Sequence, residues 1–171
     1  MEKYIDILQN LYLGTEEEVN DIKDIHLLIN CSIDIPFPKN TLYPMQIRIP
    51  VEEAEMDCIK LFEMILYTRT IEKIYHCLCN KQVVYIFSSG IQRSSAVVTC
   101  FLIKHLQMKP VQAIQYMCNK LNIHEHMCVF RDTMNYYYHY LDIKKNKSKS
   151  IENQKIDKNK RERLGPRIQP I

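Results

Sequence analysis

The stretch from residue 83 to residue 98 constrains the fold most, because it combines a strand, a short polar loop and a helix. Val83 to Phe87 is an apolar run rich in β-branched and aromatic residues, which predicts a buried strand. Ser88 to Gln92 is polar apart from Ile91 and holds Gly90, one of only three glycines in the chain. From Arg93 onward the apolar residues recur at helical spacing.

This order of elements predicts a phosphate-binding loop. Backbone N–H groups of a loop and of the helix turn behind it point toward an anion, and the helix dipole adds positive potential. Arg93 adds a planar guanidinium suited to bidentate contact with two phosphate oxygens, and Ser94 adds a hydroxyl. The predicted phosphate-binding residues, called the 88–94 loop below, are Ser88, Ser89, Gly90, Ile91, Gln92, Arg93 and Ser94.

The same residues resemble the signature loop of the cysteine-dependent dual-specificity protein phosphatases, which reads His-Cys-x-x-Gly-x-x-Arg-Ser/Thr. When Gly90 and Arg93 are aligned, the histidine of the family falls on Ile86 and its cysteine on Phe87. The resemblance implies a thiolate that attacks phosphorus and forms a covalent phospho-enzyme. Phenylalanine has no lone pair with which to attack. A shift of the alignment by one residue places Ser88 at the nucleophile position. It then leaves four residues between the nucleophile and Arg93, whereas the family has five.

A second segment, Ile49-Pro50-Val51-Glu52-Glu53, resembles the family's Ile-Pro-Val-Glu-Asp loop. The aspartate of that loop protonates the leaving oxygen, and Glu53 occupies its position here. The added methylene changes the reach of the carboxyl group, and the acidic neighbours also fit a surface loop that repels phosphate. We therefore predict no catalytic residue and treat Ile86, Phe87 and Glu53 as degenerate positions.

The order of the remaining segments fits an α/β fold. Strands are predicted near residues 4–8, 10–14, 26–31 and 45–50, and helices over 57–80, 111–121 and 127–143. The segment Leu11-Tyr12-Leu13-Gly14 also resembles the entry segment of the family. The resemblance implies a sandwich in which helices flank a central, mostly parallel sheet over residues 1–143.

Charge divides the chain at residue 143. Residues 1–143 hold 13 basic and 17 acidic side chains, a net charge of −4, whereas residues 144–171 hold 10 and 3, a net charge of +7. The second segment has almost no apolar content and is interpreted as a basic, disordered tail. A solvated extension is the favoured interpretation, and contact with nucleic acid or another acidic partner is the alternative.

Cysteine usage and hydropathy bear on the compartment. Seven cysteines, an odd number without the spacing of a small disulfide scaffold, favour reduced thiols and an intracellular location, cytoplasmic or nuclear. No run approaches the ~20 apolar residues that cross a bilayer, so no membrane span is expected. The spacings around His76 and around His124 do not match a structural zinc pattern, and neither a metal nor another cofactor is expected.

These observations predict a pseudophosphatase, not an enzyme. It resembles the interacting proteins of the family in which the active cysteine is replaced, which implies binding of a phosphorylated protein, or of a kinase or adaptor. Two alternatives stay open. One is a protein-interaction scaffold whose pocket is plugged by Phe87. The other is a residual phosphatase that uses Ser88, or water activated by Glu53.

Overall fold

The structure is a computed structural model that describes residues 4–39, 43–124 and 128–163. The chain divides into two units, Met1–Tyr138 and His139–Ile171. The first unit contains a five-stranded sheet in the order β1-β2-β5-β3-β4. Its strands are β1 (Ile5–Leu8), β2 (Leu11–Gly14), β3 (Ile25–Asn30), β4 (Met45–Arg48) and β5 (Val83–Phe87).

Only β1 runs antiparallel to its neighbour, so the sheet is mixed and mostly parallel, as predicted. The turn between β1 and β2 is tight because Asn10 adopts a left-handed conformation with a φ of 68°. Strand β5 lies between β2 and β3 and is buried from Val84 to Phe87. A central parallel strand covered on both faces is expected to be continuously apolar, and β5 is.

The described residues form five α-helices, which in chain order are α1 (Cys58–Thr68), α2 (Thr70–Cys79), α3 (Ile91–His105), α4 (Pro110–Leu121) and α5 (Arg131–Arg163). Two short 3-10 helices, Glu17–Asp21 and Glu55–Asp57, accompany them. Helix α3 is the most buried, because every residue from Gln92 to Ile103 is buried. Helices α2 and α3 contact β5, and α4 contacts β1. The predicted α/β sandwich with flanking helices is confirmed.

The single helix predicted over residues 57–80 is two helices. Arg69 adopts a left-handed conformation with a φ of 54°, and its N–H meets the carbonyls of Ile65 and Leu66, which ends α1. Helix α2 restarts at Thr70. Apolar periodicity continues through this break, so the periodicity alone did not reveal it.

The predicted disordered tail from Lys144 is wrong for residues 144–163, which are helical in α5. This segment contains neither proline nor glycine, and 12 of its 20 residues are Lys, Arg, Glu or Gln, all of which favour helix. Ser148 Oγ donates a hydrogen bond to the Lys144 carbonyl at 3.0 Å, which is the i, i+4 spacing of a helix. Residues 164–171 of that prediction lie outside the described residues.

Within the described ranges, no helix is both long and apolar enough to cross a membrane. No group of three or more His, Cys, Asp or Glu side chains with metal-binding geometry occurs among those residues either.

Candidate functional site

The 88–94 loop joins the carboxyl end of β5 to the N-terminus of α3. Only Ser88, Ser89 and Gly90 lie between the two elements, because α3 already begins at Ile91. Arg93 therefore lies in the first turn of a helix, where unpaired N–H groups and the positive end of the dipole favour an anion. The strand, loop and helix predicted here are confirmed.

Phe87 points into the protein core. Its side chain is fully buried and packs edge-on against Phe37, with ring centroids 6.4 Å apart, and at a tilt against Tyr85 at 6.5 Å. Phe87 and Tyr85 belong to one cluster with Val19 and other residues. Since side chains two apart on a strand share a face, Phe87 continues the face of Tyr85. The ring packs in this core cluster, and Ile86 is fully buried as well.

The side chain of Ser88, the residue after Phe87, faces helix α3. Its hydroxyl is hydrogen bonded to the Gly90 carbonyl, and it lies 2.9 Å from the Ser94 hydroxyl. Ser94 Oγ also lies 3.2 Å from the Ile91 carbonyl. The structure thus brings Ser88 and Ser94 together inside the loop, whereas the ring of Phe87 packs in the core cluster.

Arg93 is held by hydrogen bonds to two parts of the site. It is only 6% exposed, and its Nη1 donates to the Val51 carbonyl at 2.9 Å. Its Nη2 donates to the Ser89 hydroxyl. The third nitrogen, Nε, is buried and has no hydrogen-bond partner among the described residues. A buried donor of this kind is costly to leave unpaired, so Nε marks a place where an acceptor is missing.

Glu53 reaches the same site from the loop before α1. Its Oε2 lies 3.9 Å from Arg93 Nε, too far for a hydrogen bond but close enough for an ion pair. A Cβ built on Gly90 would lie 2.6 Å from the same oxygen, so the Glu53 carboxyl group sits directly over the glycine. The absence of a side chain at Gly90 makes this approach possible.

The other loop residues have different surroundings. Gln92 turns away from the loop, and its side-chain oxygen accepts a hydrogen bond from the Val129 N–H at 3.4 Å. Ile91 is half-buried and lines a cavity of about 170 Å³ together with Ser88, Gly90, Gly14 and Thr15.

Three residues that support the site were missed by the sequence analysis. Ser32 Oγ accepts the Ser89 N–H at 2.9 Å, so one loop amide already has a partner within the protein. Asn30 is fully buried, accepts the Ser32 N–H at 2.9 Å and donates to the Ile35 carbonyl at 2.7 Å. Val51 supplies its carbonyl to Arg93. The sequence could have indicated Asn30 and Ser32, because they are polar residues at the carboxyl end of β3, which is the strand beside β5.

Cys31 lies near this site but is not a reactive thiol. It follows β3, and its N–H donates to the Phe87 carbonyl at 2.8 Å. Burial raises the pKa of the Cys31 thiol to about 12, and the nearby Arg93 charge lowers it only in part. A thiol with this pKa is almost wholly protonated at neutral pH, which makes Cys31 a weak nucleophile.

Comparisons with known proteins place the fold. No protein-family model and no curated protein matches the sequence. Among solved structures, human DUSP28 is 19% identical with a TM-score of 0.65, covering 83% of this chain and 97% of that chain.

Two further structures have the same fold. A mouse putative dual specificity phosphatase complexed with zinc tungstate is 18% identical with a TM-score of 0.68, over 84% of this chain and 91% of that chain. A human tyrosine phosphatase-like serine/threonine/tyrosine-interacting protein is 19% identical with a TM-score of 0.65, over 82% and 99%. At these identities the likeness shows the fold, which is that of the dual-specificity phosphatases.

Proposed function

We propose that this chain, which has the dual-specificity-phosphatase fold, is catalytically inactive and acts by binding a phosphorylated protein at the 88–94 loop. The observation that carries the proposal is the placement of Phe87, whose ring packs in the core at the position that aligns with the catalytic cysteine. The first step of the family's reaction is attack by a thiolate on phosphorus. Phe87 cannot make that attack, and Cys31 keeps its proton.

The surroundings of Ser88 also favour inactivity. A serine nucleophile needs a base that takes its proton as the hydroxyl attacks. The recorded partners of Ser88 Oγ are the Gly90 carbonyl and the Ser94 hydroxyl, and neither of these is a base at neutral pH. Ser88 therefore lacks the base that a serine nucleophile needs.

Arg93 supports a retained anion site. Its buried Nε lacks a hydrogen-bond partner at the N-terminus of α3, and a phosphate oxygen would supply the missing acceptor. The names of two neighbours with the same fold also support an anion-binding or interaction role. One was solved with zinc tungstate, which contains an oxyanion, and the other is named as a phosphatase-like interacting protein. Carried over to this chain, these neighbours favour oxyanion binding and interaction with another protein.

The test is calorimetric titration of the full chain with a phosphotyrosine peptide and with its unphosphorylated twin. We expect binding of the phosphorylated peptide only, weakened at least about tenfold by Arg93→Lys, which keeps the charge but loses the planar donor set. Phosphate release is measured on the same samples. Release that exceeds background and is lost in Arg93→Lys would support the residual phosphatase and overturn the proposal.

A plugged interaction scaffold is the second candidate, and the position of Glu53 favours it. Its carboxyl group lies over Gly90 and beside Arg93, where an incoming phosphate would otherwise lie. In that case neither peptide gives heat, and binding of a kinase or adaptor is unchanged by Arg93→Lys. The titration with Arg93→Lys therefore separates the two candidates.

A further inference from the structure

An open groove of about 510 Å³ runs between the edge of the sheet and the junction of α1 and α2. Strand β4 is the last strand of the sheet on this side. The lining residues are Gln46, Ile47 and Arg48 of β4 and Tyr67, Thr68, Arg69 and Lys73 of the junction. None of these residues belongs to the 88–94 loop.

The backbone of β4 offers hydrogen-bonding groups to this groove. The Ile49 N–H donates to the Asn30 carbonyl of β3 at 2.8 Å, so the polar backbone groups of Ile49 face the sheet. Because those groups alternate in direction along a strand, the N–H and C=O of Gln46 and Arg48 point away from β3. An edge strand with outward N–H and C=O groups is a template for another extended chain.

The groove is also positively charged. Its lining holds three cationic side chains, Arg48, Arg69 and Lys73, and no carboxylate. The nearby Glu72 lies 2.6 Å from Lys104, which is an ion-pair partner outside the lining. The left-handed backbone at Arg69 places this cation at the corner where α1 meets α2.

Tyr67, which borders the groove, is 86% exposed. Large exposed aromatic side chains are enriched in protein interfaces, where the ring packs and the hydroxyl keeps a polar contact. The outward-facing backbone groups of β4, the three cationic side chains and the Tyr67 ring thus lie on one surface.

We propose that an acidic, extended segment of a partner protein adds to β4 as a further strand. Its backbone pairs with Gln46 and Arg48, and its carboxylates contact Arg69 and Lys73. Alternate side chains of a strand lie ~6.5 Å apart on one face, so an alternating acidic sequence presents a row of carboxylates to the cations. This surface is separate from the phosphate site and requires no phosphorylation of the partner.

The probe is a peptide of alternating Glu and Thr, about eight residues long, titrated into isotope-labelled full chain and followed by NMR. Its charge-reversed counterpart, alternating Lys and Thr, is the control peptide. We expect the acidic peptide alone to shift the amide signals of Gln46 and Arg48. Absence of binding by the acidic peptide, or equal binding of both peptides, would overturn the proposal.

Two variants test the two parts of the surface. Lys73→Glu is expected to weaken binding of the acidic peptide at least about tenfold. The control variant Lys23→Glu makes the same charge change at an exposed site outside the groove and is expected to change affinity less than about twofold. Gln46→Pro removes an N–H that faces away from β3, so the hydrogen bonds between β3 and β4 are kept. We expect this variant to lower the affinity for the acidic peptide at least about fivefold. Thermal unfolding verifies that each variant is folded.

A short single-stranded DNA serves as the competing ligand. Two results together would mean that the groove attracts anions without pairing a strand. In the first, DNA binding depends on Lys73 as strongly as peptide binding does. In the second, Gln46→Pro leaves the peptide affinity unchanged. That pair of results would overturn the proposal. Peptide affinity that falls in both Lys73→Glu and Gln46→Pro supports it.

Discussion

Glu53→Gln is expected to tighten binding of phosphate to the 88–94 loop. The Glu53 carboxyl group lies over Gly90 and beside Arg93, so an incoming dianion must displace it and is repelled by it. Glutamine keeps the size of the side chain and removes the charge. The substitution therefore separates the electrostatic effect of Glu53 from its steric effect.

The distance between Glu53 Oε2 and Arg93 Nε sets the magnitude. At 3.9 Å, the Coulomb energy of two unit charges is ~1 kcal/mol in bulk water and ~4 kcal/mol at the dielectric near a protein surface. The Glu53 side chain is 36% exposed, so solvent screens the pair and a value near the lower limit applies. Since about 1.4 kcal/mol corresponds to tenfold in affinity, ~1 kcal/mol predicts that Glu53→Gln binds the phosphopeptide about fivefold more tightly.

The assay is calorimetric titration of wild type and Glu53→Gln with the phosphotyrosine peptide, in the same buffer and at low salt. Glu52→Gln is the matched control, because Glu52 is the exposed neighbour that carries the same charge and makes no recorded contact with Arg93. We expect this control to change affinity less than about twofold.

Equal tightening in Glu53→Gln and Glu52→Gln would refute the reasoning, because the cause would then be the net charge of the acidic segment. If wild type binds the peptide in a way that depends on Arg93, and Glu53→Gln does not increase the affinity, the role of Glu53 is refuted but the phosphate site stands. Absence of binding in all three proteins would refute the site itself.

Three further predictions concern the core and its ionisation. Phe87→Cys is expected to show no phosphatase activity toward a phosphotyrosine peptide and to lose ~3 kcal/mol of stability in urea unfolding, because its side chain faces the core; measurable turnover would contradict the placement of Phe87. Asn30→Ala removes two hydrogen bonds of a fully buried side chain, and a loss below ~1 kcal/mol in urea unfolding would contradict the support that Asn30 gives to the loop. Since the folded pKa of Cys31 is raised to about 12, its contribution to stability is present at neutral pH and is lost as pH rises toward that value. The urea midpoint should therefore fall as pH rises above about 9, the ordinary pKa of a thiol, and fall less in Cys31→Ala; equal falls would contradict this assignment.

The strand, loop and helix around Arg93 could be predicted because their signals are local. An apolar β-branched run, a polar segment with glycine and a helical repeat lie within sixteen residues of each other. The missing thiol at Phe87 is equally visible, since it depends only on residue identity. The break at Arg69 was not predictable from periodicity, because apolar residues continue on both sides of it.

The helical state of residues 144–163 was missed for a different reason. Composition identifies segments that cannot bury apolar surface, and this segment indeed exposes its side chains from Lys144 to Ile156. Helix propensity acts through local backbone hydrogen bonds and needs no buried core. A lack of apolar residues therefore did not exclude a helix.

What the sequence determined by itself is the order of the elements, the candidate anion site at Arg93 and the lack of a cysteine at position 87. Only the tertiary structure decided that Phe87 packs into the core while Ser88 meets Ser94. It alone also decided that Glu53, forty residues from Arg93 along the chain, reaches its guanidinium. Local patterns depend on neighbours in sequence, whereas these contacts depend on how β3, β5 and the loop before α1 pack together.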